Sequence, residues 1–311
     1  MTIQQPASRA CTSAHSTPLV PIQLREEDAT IWCKLEFLNP SGSTKDRIAN
    51  FILDKALAEH RIQRGQTVVE ASSGSTSIAF ALACAQRELH FIAVMPEGVS
   101  NERVLMIRAM GGTVHFTAQS EGVRGAIAES ERLARESGGF LPCQFANPDN
   151  SLAHEIWTAG EILSQMPGST VGAVVSGVGT GGTLVGLYRG LRKANAGLLP
   201  VLARPVEISE AMEPECYSFS QQIPGVIDGV SKLFQAVQFP NLVTIDVPQD
   251  LAIETARQLL RRGFPVGPSS GLNYAAAVMA ARQMEDNAPF VTVFPDRMER
   301  YFTTKLFNPY R

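Results

Sequence analysis

A lysine stands where a loop of small residues meets a predicted helix. The loop, NPSGST (39–44), consists of residues that favour turns. The apolar side chains of Ile48, Phe51 and Ile52 then recur at helical spacing, which predicts a helix that starts near Lys45. Long flexible amines usually lie in solvent, so an amine at this tight junction is the first candidate functional residue of the chain.

A phosphate-binding Walker loop is the nearest look-alike for this segment. That loop has the form G-x-x-x-x-G-K-[ST], with the hydroxyl residue after the lysine. Here Ser43 and Thr44 precede Lys45, and Asp46 follows it. The Walker interpretation is therefore excluded, and the loop alone does not identify the role of Lys45.

A second candidate is the glycine-rich segment SGVGTGGTLVGL (176–187), which follows an apolar strand pattern and opens a predicted helix. Glycines let the backbone approach an anion closely, and the start of a helix offers free N–H groups to it. Thr180 and Thr183 can add hydroxyl donors. The segment predicts an anion site, and a compact monophosphate is the favoured ligand.

A dinucleotide is the alternative ligand for this segment, because Gly177, Gly179 and Gly182 satisfy the G-x-G-x-x-G pattern. Glu207 or Glu210 could then reach a ribose. However, the first of these acidic residues lies about 30 positions after the motif begins, where roughly 20 are expected. The motif favours a monophosphate but does not by itself identify the anion.

Three more loops share this small-residue composition: SSGST (72–76), PSSG (268–271) and FPD (294–296). Each lies between a predicted strand and the segment that follows it. In parallel α/β proteins such loops gather at the carboxyl edge of the sheet, where ligands bind. We therefore expect the four loops and Lys45 to form one site.

The elements that must position these loops alternate along the chain from about residue 45. Strands alternating with helices predict parallel sheets covered on both faces, an α/β fold. Predicted helices cover 45–62, 75–86, 101–110 (capped by Ser100), 121–136, 151–165, 183–194, 249–262 and 271–285. Predicted strands cover 67–71, 90–96, 113–117, 171–176, 201–208, 242–247 and 290–295.

Two domains are predicted from this order. Residues 40–145 contain their own strands and helices, so we expect a small domain inserted into a large one formed by 1–39 and 146–311. A cleft between two such domains is the default position of a ligand site.

Composition excludes several classes of function. The chain has 311 residues, 44% of them hydrophobic, and a net charge of −3, which does not suggest a nucleic-acid or anionic-membrane partner. It has no apolar run of about 18 residues and no apolar signal core at its start. The five cysteines are scattered and never in CxxC spacing, so neither a disulfide framework nor a metal site is expected, and a reducing cytoplasm fits.

Several motifs together resemble one family. They are KLEFLNPSGSTKDR (34–47), VVEASSGSTSIA (68–79), VMPEGVSNER (94–103), GTGGT (179–183), PSSG (268–271) and PD followed by ERY (295–301). The chain resembles the fold-type II pyridoxal-phosphate enzymes, and within them the cysteine synthase (O-acetylserine sulfhydrylase) and cystathionine β-synthase family. The resemblance implies a two-domain fold like that of the tryptophan synthase β-subunit, with parallel-rich twisted sheets covered by helices and a mobile small domain that carries the substrate-carboxylate loop.

The resemblance also implies roles for the candidate residues. Lys45 would form the Schiff base with pyridoxal 5′-phosphate, Ser269 would bind the pyridine nitrogen, and Ser75 would lie near the ring oxygen. The phosphate would be bound by Gly179, Thr180, Gly181, Gly182 and Thr183. The substrate would be bound by Ser72, Ser73, Gly74, Thr76, Gln144 and Gly225, most of them at its α-carboxylate. His154 matches a histidine common in the family, for which a packing role is expected.

A serine opposite the pyridine nitrogen decides the expected chemistry. An aspartate would keep that nitrogen protonated and favour long-lived carbanions, whereas a neutral hydroxyl favours loss of a β-substituent. The resemblance thus implies β-replacement on an activated serine or similar amino acid by a sulfur nucleophile, via an aminoacrylate, with Lys45 as general base. The alternatives are a β-eliminating cysteine desulfhydrase, which releases sulfide, pyruvate and ammonia, and a weakly catalytic relative that acts as a binding partner. The family also suggests a cytoplasmic homodimer.

The chain departs from the family pattern around the expected site. Ser75 and Ser77 replace the usual asparagine and glycine of the TSGNTG loop, and Arg297 and Met298 alter the PDSGERY segment. The segment PGVIDGVSKLF (224–234), with Asp228 and Lys232, replaces the usual GIGAGF. These changes predict a divergent branch with a different second substrate or leaving group.

Overall fold

A computed structural model describes residues 16–72, 74–206, 231–284 and 288–311 of the chain. Within these residues no helix combines the length and the apolar character that a membrane crossing requires. The described residues form two sheets, one of six strands and one of three.

The larger sheet has the strand order β1-β2-β9-β6-β7-β8. Its first two strands form an antiparallel hairpin, and every other neighbouring pair is parallel. The strands are β1 (Leu19–Ile22), β2 (Ile31–Lys34), β6 (Ala173–Ser176), β7 (Leu199–Val206), β8 (Val243–Pro248) and β9 (Phe290–Val293). Pro21 lies in β1, at the edge of the sheet, where a residue that lacks an N–H donor is tolerated.

The smaller sheet is parallel throughout and has the order β3-β4-β5. Its strands are β3 (Thr67–Ala71), β4 (His90–Pro96) and β5 (Thr113–Thr117). The central strand β4 is largely apolar, as expected for a parallel strand with both faces covered. All three strands come from residues 40–145, whereas the six-stranded sheet comes from the flanking segments.

Helices cover both sheets. They are α1 (Lys45–Ala58), α2 (Ser75–Gln86), α3 (Asn101–Ala109), α4 (Gly122–Ser137), α5 (Pro148–Ala153), α6 (Ala159–Gln165), α7 (Gly182–Leu191), α8 (Lys232–Gln235), α9 (Gln249–Arg261) and α10 (Pro268–Gln283). A π-helical turn, His154–Thr158, joins α5 to α6. The apolar helix α2 is buried with α1 in one core, and α10 contributes mainly to the core of the larger sheet.

The predicted α/β fold is confirmed, and most predicted elements are present with ends shifted by a few residues. The hairpin β1-β2 was not predicted, because its strands are only four residues long and Pro21 interrupts the first of them. The predicted capping by Ser100 is wrong: no hydrogen bond from the Ser100 side chain caps α3, and its buried hydroxyl has no partner among the described residues.

Candidate active site

A cavity of about 240 Å³ collects the four small-residue loops. Among its lining residues are most of the predicted site residues: Lys45, Ser72, Gly74, Ser75, Thr76, Gln144, Gly179, Thr180, Gly181, Thr183 and Ser269. Gly182 lies directly behind this lining, at the start of α7. The predicted residues Ser73 and Gly225, and the departure at Asp228, lie outside the described residues. The expectation that the loops share one site is met.

Lys45 is the first residue of α1 and faces the cavity. Its backbone N–H donates to Ser43 Oγ at 3.2 Å, which fixes the start of the helix against the loop. Burial lowers the pKa of the Lys45 amine; the Asp296 carboxylate partly offsets this effect, and Arg300 adds to it. A lysine with a lowered pKa is more often uncharged, and an uncharged amine can act as a nucleophile or as a base.

The glycine loop, residues 179–183, has a shape that side chains would obstruct. Gly181 adopts a φ of +81°, and a Cβ there would lie 2.8 Å from Phe234 Cβ. At Gly182 a Cβ would lie 1.9 Å from Asn150 Oδ1. The loop is therefore packed tightly against α5 and α8. Gly179, Gly181 and Thr183 line the cavity, and the N–H groups of a helix start suit an anion.

Ser269 presents a buried hydroxyl to the cavity. It lies in the first turn of α10, which begins at Pro268 and not at the predicted residue 271. Its Oγ has no hydrogen-bond partner among the described residues, and the same is true of Thr44 Oγ1. Buried hydroxyls are nearly always paired, so an unpaired one that lines a cavity is suited to a polar atom of a ligand. We call the glycine loop and Ser269 the cofactor end of the cavity, after the role that the resemblance implies.

A second part of the cavity wall, formed by residues 71, 72, 74–76 and 144, is named the carboxylate end after the role that the resemblance implies. Thr76 Oγ1 donates to Gln144 Oε1 at 2.6 Å, and Gln144 Nε2 donates to the carbonyl of Ala71 at 2.6 Å. Gly74 N–H donates to Ser72 Oγ at 3.2 Å. The start of α2 lies at this end, so N–H groups and hydroxyls are gathered where a carboxylate could bind.

Glu70 supports the carboxylate end from inside the protein. Its two carboxyl oxygens accept hydrogen bonds, one from the backbone N–H of Ala71 at 3.0 Å and one from that of Gln144 at 3.1 Å. Burial raises the pKa of Glu70 to about 8, and the backbone N–H groups that it accepts limit the rise. Sequence reasoning did not single out Glu70, although it lies in the matched VVEASSGST motif.

Ser75 is engaged with residues from the end of the chain. Its Oγ donates to Asp296 Oδ2 at 2.5 Å and accepts from Arg300 Nη1 at 2.7 Å. Tyr301 Oη also donates to Asp296 Oδ2, at 3.0 Å. Asp296, Arg300 and Tyr301 belong to the PD and ERY motifs, for which the sequence predicts no function. Their link to Ser75 spans more than two hundred residues of sequence, and local pattern reasoning has no signal for such a contact.

His154 packs behind the glycine loop. Its Nδ1 lies 3.0 Å from Thr158 Oγ1, and its Nε2 lies 3.3 Å from Thr183 Oγ1. Burial lowers the pKa of His154 to about 3, so the ring is neutral near pH 7. The contact with Thr183 shows that the ring supports one of the predicted phosphate-binding residues.

Comparison with known proteins identifies the family. Residues 12–296 match the family described as pyridoxal-phosphate dependent enzymes. The chain belongs to this family. A cysteine synthase of Staphylococcus aureus is 35% identical over an alignment of 313 positions that covers 98% of each chain.

Two solved structures agree with this assignment. An O-acetylserine dependent cystathionine β-synthase of Helicobacter pylori superposes with a TM-score of 0.81 at 29% identity, over 94% of this chain and 96% of that one. A hydrogen sulfide-producing enzyme of Fusobacterium nucleatum superposes with a TM-score of 0.79 at 31% identity, over 92% and 96%. The predicted membership of a cysteine synthase-like branch of the fold-type II enzymes is confirmed.

The residues of the cavity fit pyridoxal phosphate. The cofactor needs an amine for its aldehyde, an anion site for its phosphate and a partner for its ring nitrogen. Lys45 offers a desolvated amine, the glycine loop offers the N–H groups of a helix start at the cavity lining, and Ser269 offers an unpaired hydroxyl. The predicted cofactor, pyridoxal 5′-phosphate, is confirmed by the family, and the dinucleotide alternative is not needed.

Proposed function

We propose that this enzyme replaces the β-substituent of an activated serine, or a similar amino acid, with a sulfur nucleophile. The unpaired hydroxyl of Ser269 carries the proposal, because a neutral partner for the cofactor ring favours chemistry at the β-carbon. The likeness to the cysteine synthase of Staphylococcus aureus and to the O-acetylserine dependent enzyme of Helicobacter pylori supports it.

The residues of the cofactor end would bind pyridoxal phosphate at its phosphate and at its ring nitrogen. Gly179, Gly181 and Gly182 would present backbone N–H groups to the phosphate, and Thr180 and Thr183 would add hydroxyl donors. Ser269 would donate to the ring nitrogen or accept from it. When bound, the cofactor supplies the electron sink for negative charge at the α-carbon of the substrate.

Lys45 would serve as both the covalent attachment point and the general base. When it is not bonded to the cofactor, its amine would take the α-proton of the substrate. Burial favours the uncharged amine that this step requires. The nearby Asp296 carboxylate would stabilise the ammonium group that the step produces, since it raises the pKa of Lys45.

The carboxylate end would orient the substrate. Ser72, Ser73, Gly74 and Thr76, at and before the start of α2, would donate to the α-carboxylate, together with Gln144. Thr76 and Gln144 are bonded to each other, so both would exchange that bond for bonds to the substrate. Ser75 would lie near the ring oxygen of the cofactor, with its hydroxyl oriented by its bonds to Asp296 and Arg300.

A second candidate function is β-elimination from cysteine, with release of sulfide, pyruvate and ammonia. The likeness to a hydrogen sulfide-producing enzyme favours it, as does the SSGST sequence of the carboxylate loop. Both reactions share every step until the β-substituent leaves. They differ in whether a sulfur nucleophile or water acts next.

The remaining expectations belong to this proposal. We propose a cytoplasmic homodimer whose substrate and nucleophile are small molecules. We also propose that residues 40–145 form a mobile small domain and that 1–39 and 146–311 form the large one. The separate three-stranded sheet of residues 40–145 supports this division.

Two assays on one preparation separate the candidate reactions. One supplies O-acetylserine with sulfide and follows cysteine, and the other supplies cysteine alone and follows sulfide. We expect cysteine formation to be the faster, and Lys45→Ala to abolish both activities. Sulfide release that outruns cysteine formation would reject synthesis as the main activity.

A further inference from the structure

Asn150 lies between the two ends of the cavity without lining it. The residue belongs to α5 and is 1% exposed. Its Nδ2 donates to the backbone carbonyl of Gln144 at 2.8 Å and to Thr180 Oγ1 at 3.0 Å. One amide group thus joins a residue of the carboxylate end to a residue of the cofactor end.

The other side of the same amide packs against the glycine loop. A Cβ at position 182 would lie 1.9 Å from Asn150 Oδ1 and 2.5 Å from its Cγ. The absence of a side chain at Gly182 therefore gives Asn150 the space that it occupies. The amide is in van der Waals contact with the loop as well as hydrogen-bonded to it.

Each partner of Asn150 is itself fixed. The backbone N–H of Gln144 donates to Glu70, and its side chain bonds Thr76. The carbonyl of Thr180 accepts from Ser231 Oγ at 2.5 Å. A displacement of Gln144 or Thr180 therefore either moves the Asn150 amide or breaks one of its buried hydrogen bonds.

We propose that Asn150 is a positioning residue that couples amino-acid binding at the carboxylate end to cofactor binding at the glycine loop. The inference rests on the proposed assignment of the two ends. Binding of a substrate carboxylate exchanges the bond between Gln144 and Thr76 and so repositions Gln144. The shared amide transmits this movement to Thr180, which it holds in the orientation that the phosphate requires. Coupling of this kind is reciprocal, so each ligand raises the affinity for the other.

The test uses Asn150→Ala, which removes both donated hydrogen bonds without adding charge or bulk beside Gly182. Asn195→Ala is the matched control: Asn195 Nδ2 also donates to a backbone carbonyl, that of Val171, at 3.0 Å, but it lies away from the cavity. Asn150→Ser is the second variant if the alanine variant does not fold, since serine is too short to reach both partners.

Two affinities are measured on each protein. The first is the dissociation constant of pyridoxal phosphate added to the cofactor-free protein, with and without saturating L-alanine, read from the ³¹P signal of the bound phosphate. The second is the half-saturating concentration of L-alanine on the loaded protein, read from its visible spectrum. L-Alanine has the α-carboxylate of a substrate but no β-substituent that could leave.

In the wild-type protein and in Asn195→Ala we expect saturating L-alanine to lower the dissociation constant of the cofactor. In Asn150→Ala we expect both affinities to weaken by about five- to tenfold, the loss expected for buried hydrogen bonds, and the effect of L-alanine on cofactor binding to vanish. A change in only one affinity, an unchanged effect of L-alanine, or the same losses in Asn195→Ala would overturn the proposal. Neither titration requires turnover. A protein that acts on neither O-acetylserine nor cysteine would therefore refute the proposed function and leave the coupling through Asn150 to be tested by the titrations.

Discussion

At the cofactor end Ser269 has a buried hydroxyl without a partner among the described residues, whereas at the carboxylate end Thr76 already donates to Gln144. At the first end the Ser269 hydroxyl can therefore bind a ligand without breaking an existing hydrogen bond. The second has its polar groups bonded to one another and has to exchange those bonds. This difference fits a resident cofactor at one end and a substrate that comes and goes at the other.

The two ends also differ in what keeps them in shape. The glycine loop depends on close packing, since a Cβ at Gly181 or Gly182 would collide with a neighbour. The carboxylate end depends on a hydrogen-bond network that begins at the buried Glu70. Variants at the cofactor end should therefore act through steric change, and variants at the carboxylate end through lost hydrogen bonds.

Gly182→Ala should produce the largest effect on this comparison. Its methyl group would lie 1.9 Å from Asn150 Oδ1, so either the loop or the amide has to move. We expect a loss of about 1–3 kcal/mol in the free energy of unfolding and a cofactor affinity weaker by about tenfold or more. Denaturant unfolding and a titration with pyridoxal phosphate measure the two effects.

Gly160→Ala is the control for that variant. Position 160 also lies in a helix, α6, but nothing is within 4 Å of a Cβ placed there. Alanine should leave cofactor binding unchanged and stabilise the helix by up to about 1 kcal/mol. Equal losses in the two variants would mean that the glycine loop has no special steric requirement.

Thr76→Val should weaken the carboxylate end and spare the cofactor end. Valine has nearly the shape of threonine but lacks the hydroxyl that donates a hydrogen bond to Gln144 Oε1. We expect KM for the amino acid to rise by about tenfold, with the dissociation constant of pyridoxal phosphate within twofold of wild type. Steady-state kinetics and a cofactor titration without amino acid give both numbers. A parallel loss of both affinities would contradict the separation of the two ends in the absence of substrate.

His154 should give the smallest effect, on stability alone. Its pKa is about 3 in the folded protein and about 6.5 when unfolded, so the unfolded chain binds more protons between these values. The contribution of His154 to stability is therefore complete above about pH 6.5 and falls as the pH drops. We expect a loss near 1 kcal/mol from this residue between pH 7.5 and pH 5.5.

Urea unfolding at the two pH values, on wild type and on His154→Gln, isolates that contribution. The variant has no titrating ring, so its stability should fall less than that of wild type over the same interval. Equal declines in the two proteins would show that His154 does not remain neutral behind the glycine loop.

The sequence predicted most of the elements and the loops that line the cavity because those features are local. A glycine-rich turn before a helix and a lysine at a loop–helix junction are visible within about ten residues of sequence. The hairpin of β1 and β2 was missed because its strands are short and contain Pro21.

Contacts between distant segments could not be predicted. The bonds of Ser75 to Asp296 and Arg300, and that of Asn150 to Thr180, join residues whose proximity depends on how the sheets and helices pack. The sequence predicts that α10 starts at residue 271, whereas it starts at Pro268. Proline, which favours loops, is also well suited to the first turn of a helix. As a consequence, Ser269 is a helical residue whose position the backbone fixes.

The partition of products in Ser269→Asp tests most directly whether the neutral hydroxyl of Ser269 directs the enzyme to chemistry at the β-carbon. The loaded variant and the wild type receive O-acetylserine and sulfide, and cysteine is measured against the keto acid formed by transamination. An aspartate beside the ring nitrogen should keep that nitrogen protonated, so we expect the ratio of cysteine to keto acid to fall by about tenfold or more. An unchanged ratio, in a variant that still binds the cofactor, would contradict the account.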